Sequence, residues 1–145
     1  MKRIVIIDDE PDARQALKTL IDRLCPEAEV IGEADGVQSG FVLIRQCKPQ
    51  AVLLDISMED GSGFDLLDKF PKPDFQVIFT TAHDDFALRA FRYHALDYLL
   101  KPINPTELAQ AIDRLEPALP ADYSERILHL LESNKTQKLE NITLS

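Results

Sequence analysis

Glycine, cysteine and basic side chains are all scarce in this 145-residue chain, and each shortage removes a class of function. The 5 glycines form neither a G-x-x-x-x-G-K-[ST] nor a G-x-G-x-x-G pattern, and Gly36, Gly61 and Gly63 do not follow phosphate-loop spacing. A nucleotide- or flavin-binding module is therefore disfavoured. The 2 cysteines, Cys25 and Cys47, fall near the ends of two predicted helices and read as free buried thiols rather than a disulfide. With 16 Lys and Arg against 25 Asp and Glu, the net charge of −9 argues against nonspecific nucleic-acid binding by this segment itself. No apolar run approaches the roughly 18 to 20 residues that cross a bilayer. The apolar stretch near the start is cut by Asp8 and Asp9, too early for a signal peptide. The expected compartment is the cytoplasm.

What is present is a soluble-protein balance of 45% hydrophobic and 28% charged residues, enough for one domain and a short extension. Short β-like runs alternate with helical patterns five times. The expected strands are Arg3–Asp8, Glu29–Ala34, Ala51–Asp55, Phe75–Thr80 and Asp97–Leu100. Three of these are nearly continuous apolar runs, as in strands buried on both faces of a parallel sheet.

Between the strands lie helical periods. Ala13, Ala16, Leu17, Leu20, Ile21 and Leu24 form the first stripe. Later ones use Val37, Gly40, Phe41 and Ile44, then Phe64 to Phe70, then Phe86, Ala87, Ala90 and Phe91. Asn104, Pro105 and Glu107 mark the start of the last, as cap, first helical residue and capping-box partner. The pattern predicts an α/β fold: a single (βα)₅ unit whose right-handed crossovers put helices on both faces of an open sheet. The expected organisation is a domain over 1–117, a partly helical linker over 118–138, and a first strand of something further over 139–145.

Ligands of such sheets bind beyond the carboxyl ends of the strands. Asp8 and Asp9 end the first strand and Asp55 ends the third. Singly, each would read as a turn or cap residue. Brought side by side at about 5 Å and an effective dielectric near 20, each pair of carboxylates repels by roughly 3 kcal/mol, so the three call for a cation. An all-oxygen strand-edge site suits Mg²⁺, which keeps waters and accepts phosphate oxygens. Lys101, after the fifth strand, supplies an ammonium, and Thr81, after the fourth, a hydroxyl. Those groups around a carboxylate fit phosphoryl transfer onto Asp55.

The motifs "IVIIDDE", "AVLLDISMEDGSGFDLL", "VIFTTAH" and "DYLLKP" resemble, in order and spacing, those of the receiver domains of two-component response regulators. The resemblance covers about residues 2 to 116. It implies a flavodoxin-like doubly wound sheet of strand order 2-1-3-4-5. It implies that Asp55 accepts a phosphoryl group from the phosphohistidine of a sensor histidine kinase. Asp8, Asp9, Asp55 and the main-chain carbonyl of Ser57 would hold Mg²⁺. Thr81 would be the switch hydroxyl, Tyr98 the switch aromatic and Lys101 the phosphate-binding lysine, with a cis Lys101–Pro102 bond.

One departure is Met58-Glu59 where most receivers read Met-Pro, which adds a carboxylate and removes a backbone constraint. His83, two residues past Thr81, would face the mouth of the site. The segment "AFRYHALDYLLKPINPTELAQAI" is similar to receivers of the LytTR class, so the chain is expected to lead into a DNA-binding domain beyond its end. Phosphorylation is expected to promote a homodimer through the face carrying Phe91 and Tyr98. The chain is read as a switch rather than an enzyme, because Ser57 stands where an Asp-nucleophile phosphohydrolase wants its acid/base.

Overall fold

A computed structural model describes residues 1–116. The expected linker and following strand lie outside the described residues. Five parallel strands form the main sheet: β1 (Lys2–Ile7), β2 (Ala28–Ala34), β3 (Ala51–Leu54), β6 (Gln76–Thr81) and β7 (Asp97–Leu100). Their spatial order is β2-β1-β3-β6-β7. Leaving out a small antiparallel hairpin, β4 (Ser57–Met58) with β5 (Gly61–Ser62), this is the expected 2-1-3-4-5 order. The helices are α1 (Pro11–Leu24), α2 (Val37–Cys47), α3 (Gly63–Asp68), α4 (Ala87–Arg92) and α5 (Pro105–Asp113).

Alternation along the strands divides the core in two. Val5, Ile7, Val52, Leu54, Val77 and Phe79 face a cluster with residues of α2, α3 and α4. Ile4, Ile6, Leu53, Ile78 and Leu99 face the other way, toward Leu17 and Ile21 of α1 and Leu108, Ala111 and Ile112 of α5. Both faces of β1 and β3 are covered, which is why their sequences run apolar without alternating.

The boundaries differ from expectation in telling places. The first strand ends at Ile7 and the third at Leu54, so Asp8 and Asp55 stand one step beyond the ladder. Asp55 still donates its amide to Ile7 O at 2.9 Å, which keeps the two aspartates in step. In α1, Ala16 and Leu24 are exposed, so the buried stripe is narrower than the sequence period suggests. Asn104 caps α5 as expected, its side chain accepting from the amides of Thr106 (2.8 Å) and Glu107 (3.1 Å), but the Glu107 side chain makes no return bond, so the expected capping box does not form. Lys101–Pro102 is cis. Both cysteines are free, and burial raises the Cys25 thiol above its ordinary pKa.

Candidate functional site

The carboxyl edge of β1 and β3 gathers the three acids. Asp8 is fully buried, Asp55 is 4% exposed and Asp9 is half-buried; one carboxylate oxygen from each lies within 4.8 Å of the others. Asp8 is fixed from two sides. Its Oδ1 accepts from the Glu10 amide at 2.9 Å, and its carbonyl accepts from Arg14 Nη1 at 2.6 Å. Lys101, just past β7, places Nζ 2.9 Å from Asp8 Oδ2 and 3.3 Å from Asp55 Oδ2. The approach to Asp8 Oδ2 is close but lacks hydrogen-bond alignment, so that buried oxygen faces positive charge without a proper donor.

The electrostatics follow from this crowding. Burial and the Asp8 charge push the Asp55 carboxyl up from 3.8 to about 6, against the opposing pull of Lys101. For Lys101, burial alone would lower the pKa, but Asp8 and Asp55 outweigh it and the ammonium is held above its ordinary value. Three carboxylates against one ammonium leave the pocket negative. That imbalance, the all-oxygen donor set and the poorly satisfied Asp8 Oδ2 fit a small hard cation such as Mg²⁺.

Behind Asp55 the chain turns sharply. Gly63 donates its amide to Ile56 O at 2.8 Å, and a Cβ on Gly63 would sit 2.6 Å from the Asp55 carbonyl oxygen. Only glycine allows that approach. Ser57, the expected carbonyl ligand, opens the hairpin and pairs with Ser62, while Gly61 closes it at φ +143°. Ser62 then caps α3: its side chain accepts from the Asp65 amide at 3.0 Å, and Asp65 Oδ2 accepts from the Ser62 amide at 2.9 Å.

The missing proline of this loop is offset by Asp60. Its Oδ1 accepts from the Val37 amide at 2.8 Å and its Oδ2 from the Gln38 amide at 3.1 Å. The loop is thus clamped to the first turn of α2, whose own cap residue, Gly36, has no side chain to offer. These two bonds hold the Asp60 carboxyl below its ordinary pKa. Sequence reasoning missed Asp60, and only its place directly before Gly61 could have hinted at it.

Thr81, the last residue of β6, is fully buried, and its Oγ1 accepts from the His83 amide at 3.2 Å. The Tyr98 hydroxyl donates to the His83 carbonyl, and its ring packs at the edge of the core beside Phe79, 6.4 Å between centroids. Both expected switch residues are therefore tied to one residue of the loop after β6. His83 itself is exposed, its ring edge-on to Phe86. Glu59 is exposed. On α4, Leu88 and Phe91 are 68% and 77% exposed, one turn apart on the same side.

A buried acid pocket with a crossing lysine, set at the carboxyl edge of a doubly wound parallel sheet, defines the class of site. Residues 4–113 match the family model of the response regulator receiver domain, and the chain belongs to that family. It is 39% identical over 117 residues to the sensory transduction protein LytT of Bacillus cereus, covering 79% of this chain and 47% of that one. It is 33% identical over 138 residues to the transcriptional regulatory protein BtsR of Escherichia coli K12, covering 93% and 55%. A DNA-binding response regulator of the LuxR family from Staphylococcus aureus superposes with a TM-score of 0.71 at 25% identity, covering 79% and 98% of the two chains. The chain spans about half the length of the curated relatives it matches.

Proposed function

We propose that Asp55 accepts a phosphoryl group from the phosphohistidine of a sensor histidine kinase and that this modification sets the protein's output. The observation that carries the reading is convergence: acids from two strand ends within 4.8 Å, with Lys101 reaching both Asp8 and Asp55. Asp8, Asp9, Asp55 and the Ser57 carbonyl would hold Mg²⁺, which supplies charge neutralisation for the phosphoryl oxygens. An Asp55 oxygen attacks phosphorus, the P–N bond to the kinase histidine breaks, and the electron pair leaves with the imidazole. Lys101 offsets charge on the transferred oxygens. The raised pKa of Asp55 marks a carboxylate that is poorly solvated and correspondingly reactive.

The output reading rests on the relatives. LytT-type and transcription-regulating relatives are about twice as long as this chain, which supports a LytTR-class DNA-binding domain beyond residue 145. Exposed Leu88 and Phe91 support a homodimer favoured by phosphorylation. No helix among the described residues is long and apolar enough to cross a membrane.

The test is incubation with a small phosphodonor and Mg²⁺ followed by intact mass. One added phosphoryl group is expected, absent in Asp55→Asn and absent with a chelator. Undiminished modification of Asp55→Asn would overturn the assignment. Light scattering of samples with and without the phosphoryl mimic beryllofluoride tests the dimer, and equal masses would refute it.

A further inference from the structure

Thr80 presents a hydroxyl where the surroundings ask for none. The residue is fully buried, and its Oγ1 has no hydrogen-bond partner. Ile78, two positions earlier, and Leu99, its partner across β6 and β7, belong to the apolar core of the α1/α5 face. A buried hydroxyl left unpaired is disfavoured against an isosteric apolar group, so its presence calls for a partner.

The sheet register shows what Thr80 adjoins. Ile7 pairs with Leu54, and Leu54 with Phe79; one residue further along, Asp8, Asp55 and Thr80 fall in a single row across three strands. Ile6, Leu53 and Ile78, two residues before each, all face the α1/α5 core, so by alternation the three share that face. Lys101 must cross this row. It follows β7, Asp55 follows β3, and β6 lies between them. Two strand spacings separate the backbones by roughly 10 Å. Yet Lys101 Nζ reaches 3.3 Å from Asp55 Oδ2, so its side chain passes over β6 on the face that Thr80 occupies.

An ammonium carries three protons. One is donated to Asp55 Oδ2, one is held near Asp8 Oδ2 by charge alone, 2.9 Å away without hydrogen-bond alignment, and no third acceptor meets Lys101 Nζ among the described residues. The lone pairs of Thr80 Oγ1 are equally unused. We propose that Thr80 is a positioning residue, its hydroxyl receiving the third ammonium proton of Lys101 and so fixing that ammonium over Asp55. A turn about χ1 exchanges the threonine hydroxyl and methyl in nearly the same volume, so re-aiming the hydroxyl needs no repacking of the core. The functional part of this inference rests on Asp55 being the phosphoryl acceptor. Thr81 has a different task, since it faces the opposite side of β6 and is bonded to the His83 amide.

The experiment compares wild type, Thr80→Val, Thr80→Ser and Asp55→Asn in the full 145-residue chain. Uptake from acetyl phosphate with Mg²⁺ is followed by intact mass. Separately, the ¹⁵Nζ signal of Lys101 is recorded in metal-free, donor-free protein. Thr80→Val is expected to accept phosphoryl at least threefold more slowly at saturating donor, with unchanged half-saturation. It should also lose the slowly exchanging Lys101 ammonium signal. Thr80→Ser restores both. Equal rates and equal ammonium signals in wild type and Thr80→Val overturn the proposal, as does a slow Thr80→Ser. A wild type that takes up nothing overturns the phosphoacceptor reading instead, while the ammonium signal still decides the Thr80 contact. Should Thr80→Val fail to fold, Thr80→Ala removes the same hydroxyl and takes its place.

Discussion

Replacing Asp55 by Asn is expected to make the metal-free protein more stable at neutral pH, although it removes the proposed acceptor. The reason is the pocket's own electrostatics. Asp55 is 4% exposed, and burial with the Asp8 charge lifts its carboxyl from 3.8 to about 6. A raised carboxyl pKa means that the folded state binds the proton more tightly than the unfolded chain does. Stability is therefore undiminished below about pH 4, falls as pH rises toward 6, and stays reduced above it. At about 1.4 kcal/mol per pH unit between those values, the penalty at pH 7.5 is about 3 kcal/mol. Asn removes it but gives up the Lys101 contact at 3.3 Å, so a net gain of roughly 1 to 2 kcal/mol is expected. Urea unfolding with a chelator present, at pH 7.5 and again at pH 4.5, measures this directly. The gain should be largest at the higher pH and shrink at the lower. Added Mg²⁺ should stabilise wild type more than the variant. A variant less stable than wild type at pH 7.5, or a gain indifferent to pH, would refute the reasoning.

Two further substitutions probe the scaffold around the site. Asp60→Ala removes both bonds to the first turn of α2 and should cost about 1 kcal/mol of stability. Hydrogen exchange should then accelerate in the Ser57–Ser62 hairpin, and unchanged protection there would rule out the clamp. Gly63→Ala drives a methyl to 2.6 Å from the Asp55 carbonyl and should destabilise by about 1 to 3 kcal/mol in thermal unfolding. A neutral effect would mean that the turn has more room than its geometry shows.

The sheet was legible because β1 and β3 are buried on both sides and so spell continuous apolar runs, interrupted only where Asp8 and Asp55 begin the site. Strand order and the cis Lys101–Pro102 bond followed from the resemblance rather than from periodicity. The β4–β5 hairpin was not legible, since two-residue strands leave no period and the turn depends on one glycine at φ +143°. Asp60 and Thr80 escaped for a common reason. Each reads locally as a loop acid or a β-branched strand residue, and its significance comes from a partner on another element. The α1 stripe was overread at Ala16 and Leu24, because helical periodicity does not say where the neighbouring layer stops.

His83 lends its amide to Thr81 and its carbonyl to Tyr98. A single residue thus mechanically joins a side chain sealed inside the sheet to an aromatic ring at the rim. Any anion that draws the Thr81 hydroxyl toward the acid pocket strips the His83 amide of its acceptor. His83 is then held by one tie fewer, and the oxygen on which the Tyr98 ring hangs belongs to the same residue. Under the proposed function, this residue would be the shortest route by which a charge at Asp55 reaches the rim.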